Sequence, residues 1–383
     1  MTSDLHSRLS DDQRVIAEAA QRFIETHCPL TTVRRIADGT EPVDAEYRRQ
    51  AAELGWFSML VPEEQGGGSV SGNGLVDASI VAAVRGAALQ PGGFIGTNVV
   101  ASSLCEVATS EAGGAQAHSD LIAALVGGHS AAAWAVTGPK GDPEPGSGVT
   151  AIRDGETYLL SGTKTQVQDA VECEQILVTG RLDGSLAQFL VPVGSDGLTI
   201  QRMQGLDLTR AQDRVDFDHV RLPAAALVGE PGRSDAVIDR QLQIASVLIS
   251  AEMVGAMDRN FQDTVAYAKD RIAFGRPIGS FQAIKHLLAD TSLALEMSKA
   301  VVAAAAESVG ARRSDAAEVA SIAKAFVGER GITLTQNCFQ VFGGIGYTWE
   351  HDHHLYMRRI TSDAAIYGNA PWHRERICVN AGI

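Results

Sequence analysis

The chain has 383 residues, enough to bury two or three packed units. Its 32 basic against 46 acidic side chains leave a net charge of −14, which disfavours binding to a phosphate backbone and argues against a nucleic-acid partner. Five cysteines (Cys28, Cys105, Cys173, Cys338, Cys378) lack CxxC spacing, so neither a zinc site nor a disulfide framework is expected, and a reducing compartment fits.

The opening stretch "MTSDLHSRLSDDQRVIAEAA" has no basic region followed by an apolar one, and no apolar run approaches the ~20 residues that span a bilayer. The expectation is a cytoplasmic protein without membrane insertion. Ser10 is a candidate N-cap before "DDQRVIAEAAQRFIETH", in which Val15, Ile16, Ala19 and Phe23 recur at helical spacing. The first third reads as mostly helical, interrupted by the glycine-rich "VPEEQGGGSVSGNG". That loop lacks the Lys-Ser/Thr of a phosphate cradle and reads as a connection between helices.

From about residue 131 short apolar runs alternate with turn residues: "AAAWAVT", "GVTAI", "TYLLSG", "QILVTGR", "AQFLVPV", "LTIQRM" and "RVDFDHVRL". No helical pattern separates them, which disfavours a parallel Rossmann sheet and favours an antiparallel barrel or sandwich. Beyond "EPGRSD" the pattern is helical almost to the end. One long helix runs towards Arg271, with Pro277 and Gly279 ending it, Ser280 placed to cap the next, and "SDAAEVASIAKAFVGERGITLTQNCFQVF" supplying a third. Alanine-rich helices of such length suit a closely packed bundle. The expected fold class is α+β, with a helical domain over 1–128, a β domain over 129–231 and a four-helix bundle over 232–383.

That order resembles the acyl-CoA dehydrogenase family, and four segments carry the resemblance: "LGWFSMLVPEEQGGG", "AVTGP", "DRIAFGRPIGSFQAIKHLLAD" and "QVFGGIGYTWEHDHHLYMRR". It implies FAD as cofactor. By resemblance Arg271, Phe274 and Gln282 reach the FAD of a neighbouring subunit, Gln340, Gly343, Gly344 and Gly346 fall on a second FAD-binding segment, and Val136 and Thr137 lie in the flavin loop. The chemistry suits the residue types: an arginine gives a diphosphate two charged hydrogen bonds, and glycines let backbone amides approach closely. The sequence departs from the family where Gln166 and Gln168 replace a tryptophan and a threonine of the flavin-side strand.

The resemblance further implies α,β-dehydrogenation of an acyl-CoA thioester, for which a positioned carboxylate removes the α-proton. The glutamate most members carry aligns with Gly368 in "AIYGNAPWH", beside Tyr367, and the position used by a minority aligns with Ala245, followed by Ser246. Neither can take a proton. Glu252, two helical turns beyond Ala245 and ~10 Å along the axis, is the candidate catalytic carboxylate, with Asp363 a second. The string "EHDHH" invites a metal reading, but adjacent residues seldom converge on one ion, and no metal is expected.

Two assemblies are consistent with this pattern: a self-sufficient homotetrameric dehydrogenase, or a partner subunit of an α2β2 heterotetramer in which a paralogous chain carries the base. A flavin monooxygenase on the same scaffold would also dispense with the glutamate, though no residue pattern favours it. An electron-transfer flavoprotein is the expected electron acceptor, and lipid or steroid degradation the expected setting.

Overall fold

The computed structural model describes residues 9–40, 45–110, 118–141, 143–230 and 232–383. The first residues of the stretch read for a leader, and Pro231 of the break before the long helix, lie outside them. Helix α1 (Asp11–His27) begins where Ser10 and Gln13 form a reciprocal capping box, the serine hydroxyl accepting from the Gln13 amide and the glutamine oxygen from the Ser10 amide. Helices α2 (Leu30–Ala37), α3 (Ala45–Glu53), α4 (Gly74–Ala87), α5 (Phe94–Ser110) and α6 (Ser119–Val126) follow. The glycine-rich loop folds tightly back on the segment before it. A Cβ at Gly67 would collide with the backbone of Val61, and one at Gly74 with the backbone of Met59.

The seven apolar runs form strands β1 (Ala132–Ala135), β2 (Val149–Asp154), β3 (Thr157–Gln168), β4 (Gln175–Leu182), β5 (Ser185–Pro192), β6 (Leu198–Arg202) and β7 (Gln212–Pro223), with a two-residue β8 (Leu227–Val228) too short for its pattern to register. The sheet order is β6-β7-β3-β2-β4-β5-β8, with β1 also on β4. The sheet departs from the purely antiparallel expectation, because β1 and β2 both run parallel to β4. They occupy successive stretches of one β4 edge: Ala132–Ala135 faces Gln175–Val178, and Thr150 and Ala151 face Arg181 and Leu182. The chain leaves the sheet after Ala135 and rejoins it at Val149, which brings Val136 and Thr137 out at a gap in the edge.

Helix α7 (Asp235–Asp270) ends earlier than Pro277 and Gly279 suggest. Arg271 is extended, and a small hairpin of β9 (Ile272–Ala273) and β10 (Arg276–Pro277) follows it. Helix α8 (Gln282–Gly310) starts from Phe281 without a side-chain cap, so Ser280 does not serve as one. Helices α9 (Ala316–Phe342), α10 (His353–Asp363) and α11 (Ala370–Asn380) complete the chain. One apolar cluster joins the N-terminal helices to this C-terminal region, and a second fills the sheet. Helices α4 and α7 touch backbone to backbone: a Cβ at Gly86 would strike the Glu252 main chain and one at Gly255 the Ala83 main chain. This contact sets Arg85 of α4 against Glu252 of α7. Among the described residues no helix is long and apolar enough to cross a membrane.

Candidate functional site

Gly368 lies in the turn between α10 and α11 at φ +100°, a conformation that favours glycine. A Cβ there would come within 2.5 Å of the Trp372 ring and 3.0 Å of His373 Nε2. Beneath the turn, buried Lys324 donates to the carbonyls of Ala364 and Gly368, at 2.9 Å each. Tyr367 stacks on Trp134 with ring centroids 5.6 Å apart and donates to Gln168 at 3.3 Å, which ties the turn to strands β1 and β3. Ala245 and Ser246 are both buried, the alanine in the helical core. Both positions at which the family's base is expected are thus closed by packing as well as lacking a carboxylate.

Glu252 is 1 % exposed and its carboxylate is engaged. Arg210 donates to Oε2 while also donating to Asp363 at 3.0 Å, and Arg85 Nε stands 3.6 Å from Oε1. A neighbouring buried pair joins Arg359 to Asp207 at 2.5 Å, with Arg359 also donating to Thr209 at 2.6 Å. Asp207 and Arg210 sit on the loop between β6 and β7, Asp363 and Arg359 on α10. Opposite charges are exchanged between the same two segments, which fixes the loop against the helix. Three arginines face three carboxylates, as buried charges require. Burial is the largest influence on Asp363 and raises its carboxyl to about 7 despite Arg210 and Arg359.

The residues expected to meet FAD fall into two groups. Val136 and Thr137 are buried at the gap beside β4; the Val136 carbonyl accepts from Lys164 Nζ at 2.8 Å and the Thr137 carbonyl from the Thr165 amide at 3.1 Å. Arg271, Phe274 and Gln282 lie on and beside the β9–β10 hairpin, all exposed. Phe274 is 95 % exposed at φ +55°, and the Arg271 side chain makes no ion pair or hydrogen bond with the described residues. An aromatic held in a left-handed conformation with its ring in solvent, beside a free guanidinium, is built for contact with something outside the chain. Gln340 is exposed at the end of α9, and the Cβ directions of Gly343 (φ +62°) and Gly344 meet nothing within 4 Å. Gly346 differs: a Cβ there would press on Phe342 at 3.1 Å and approach the ring of His353 at 3.4 Å, so its small size also serves internal packing. This open glycine segment and the exposed cationic hairpin have the chemistry to hold a dinucleotide flavin.

The histidines of "EHDHH" serve packing. His353 Nδ1 lies 2.6 Å from Asn260 Oδ1, His354 Nε2 lies 3.2 Å from the Trp349 carbonyl, and Asp352 pairs with Arg34 at 2.5 Å. Among the described residues no group of three His, Cys, Asp or Glu side chains gathers to hold a metal.

Sequence reasoning missed Arg85, Arg210, Asp207, Arg359, Lys324 and Trp372. One signal was available: Arg85 interrupts the apolar run "ASIVAAVRGAAL", and a charge on a helix buried all round implies a buried partner.

The model of the acyl-CoA dehydrogenase N-terminal domain matches residues 10–128, and that of the acyl-CoA dehydrogenase C-terminal domain matches residues 236–381. The chain is 30 % identical to the mitochondrial short-chain specific acyl-CoA dehydrogenase of Bos taurus, over 83 % of this chain and 80 % of that one. It is 27 % identical to acyl-CoA dehydrogenase IpdE2 of Mycolicibacterium smegmatis, over 94 % and 96 %. The ChsE4-ChsE5 complex from Mycobacterium tuberculosis has the same fold, with a TM-score of 0.83, 23 % identity and 99 % coverage of both chains. The chain belongs to the acyl-CoA dehydrogenase family, FAD-dependent oxidoreductases that act on the CH–CH bond of acyl-CoA thioesters.

Proposed function

We propose that this chain takes part in acyl-CoA α,β-dehydrogenation as one subunit type of an α2β2 heterotetramer, completing a shared FAD site while a paralogous subunit supplies the carboxylate base. Two observations carry this reading: the Trp372 ring closes the Gly368 position, and Phe274 of the β9–β10 hairpin is almost wholly exposed. Arg271 offers a fixed cation to a diphosphate, Phe274 and Gln282 a flat apolar and an amide contact, and Gly343 and Gly344 room for close approach. Bound FAD supplies the hydride acceptor. Val136 and Thr137, fixed by Lys164 and Thr165, shape the sheet side of that site, and Tyr367 and Trp134 wall it off from water.

The heteromeric form of the ChsE4-ChsE5 relative supports the assembly by analogy of fold. Transfer of electrons to an electron-transfer flavoprotein, a lipid or steroid acyl group, and a cytoplasmic location complete the proposal. The test is flavin absorbance per chain, for the protein purified alone and co-purified with a paralogous subunit. About half a flavin per chain and turnover only in the complex support the reading. Full flavin in the isolated chain, bleached by acyl-CoA, would replace it with a self-sufficient dehydrogenase.

A further inference from the structure

One side of helix α8 packs into the C-terminal bundle: Leu295, Val302, Ala305 and Val309 are buried, and Asn337 of α9 donates to Thr291 at 3.1 Å. The other side is apolar too. Between Asp290 and Glu307 every exposed residue of α8 is hydrophobic, namely Leu293, Met297, Ala300, Ala303 and Ala304. Leu293 is 62 % exposed and Met297 47 %, so the two bulkiest members of the set stand largely in solvent. At 3.6 residues per turn, Leu293, Met297, Ala300 and Ala304 share about 60° of arc over three turns. The charges nearest this stripe are turned aside, Lys299 reaching Glu296 and Asp258 of α7 at 2.8 Å each. A single exposed leucine is ordinary, but a helix apolar on both sides is one that is covered on both sides.

The stripe carries its own complement. A convex helix face offers a small molecule no pocket, and this one has no cationic side chain within it to draw it to an anionic membrane surface. Its ends are opposite in sign, with exposed Lys285 and His286 at one and exposed Glu307 at the other. Bulk is uneven as well, with Leu293 and Met297 in the first half and three alanines in the second. A second copy laid antiparallel about a two-fold axis beside Met297 matches both features. It sets Leu293 against Ala300, Asp290 against Ala303 and His286 against Glu307, and the alanines let the two helices approach closely at a shallow crossing angle. A parallel pairing would set bulk on bulk and like charge on like. We propose that the exposed face of α8 is a contact between two copies of this chain, paired antiparallel about a two-fold axis at Met297. The contact joins like subunits, so it stands whether this chain or a paralogous one supplies the base.

The test is disulfide formation in the full-length chain carrying Cys378→Ser, which removes the exposed cysteine and leaves four buried ones. Met297→Cys is expected to give a covalent dimer under mild oxidation, because the axis sets that position beside its own copy. Leu293→Cys alone should stay reduced, and should cross-link when co-expressed with Ala300→Cys. Met297→Glu changes a side chain already in solvent in the free chain, so it should melt within a few degrees of the wild type. In sedimentation its dimer should dissociate at least about ten-fold more readily, since two carboxylates would meet at the axis. In the complex with a paralogous subunit, a photo-cross-linking amino acid at position 297 reports whichever chain covers it, and capture of a second copy of this chain supports the proposal. Capture of the paralogous chain instead, a Met297→Cys variant that stays reduced, or a Met297→Glu variant as dimeric as the wild type would overturn it.

Discussion

The Trp372 ring occupies the space into which a side chain at Gly368 would project, with only 2.5 Å between the ring and a Cβ built there. Restoring the family's glutamate by Gly368→Glu is therefore expected to fail. The substitution forces both a φ of +100° and a clash with Trp372, which together should cost about 2–4 kcal/mol and lower the melting temperature by several degrees. Dehydrogenation by the isolated chain, followed with an artificial electron acceptor, should not rise. A gain in turnover would show that the turn can open and that the missing carboxylate is the sole defect.

Glu252 is the next carboxylate to separate by experiment. As a structural partner of Arg210 and Arg85, its replacement by glutamine removes one side of a buried charge set. The expected loss is about 3–5 kcal/mol, read in a denaturant titration. Turnover per folded chain in the assembled complex should stay at the wild-type level. The reverse result, unchanged stability with turnover abolished, would make Glu252 the base.

The helices and strands were legible because their periodicity is local: the Ser10 cap, the seven apolar runs and the long α7 pattern each lie within one stretch of sequence. The parallel placement of β1 and β2 on β4 was not, since it depends on pairing between stretches up to some forty residues apart in the chain, such as Ala132 with Gln175. The charge set was equally hidden. Arg210 meets Glu252 and Asp363 across 42 and 153 positions, and no spacing rule links residues so far apart. Gly368 could be recognised as lacking a carboxyl group, but the closing of that space by Trp372 depends on the φ of the turn.

Phe274 separates folding from assembly. Its ring is almost wholly in solvent and its backbone is left-handed, so Phe274→Gly removes strain and little packing. The isolated chain should melt within a few degrees of the wild type, or above it. Flavin retained per chain after gel filtration of the co-purified complex should fall severalfold if the ring meets FAD across a subunit boundary. Unchanged flavin content would remove Phe274 from the proposed site.

Three buried groups give stability an unusual dependence on pH. Burial lowers Lys324 from 10.5 to about 7, while its amino group sits against the carbonyls of Ala364 and Gly368. Between those values the unfolded chain holds a proton that the folded chain has released, so stability rises as pH rises from about 7 towards 10.5. Asp169 and Asp363 act in the opposite sense. Each is raised from 3.8 to about 7 chiefly by burial, so over that window the folded chain holds the extra proton and stability falls as pH rises. The difference in melting temperature between wild type and Lys324→Met should therefore move in the wild type's favour from pH 7.5 to pH 9.5, the window above the folded-state value. Asp169→Asn should gain on the wild type from pH 4.5 to pH 7, because it lacks the charge that the folded state resists. Parallel melting curves for the wild type and either variant across its window would mean that the group titrates at its ordinary value, and that water reaches it in the native state.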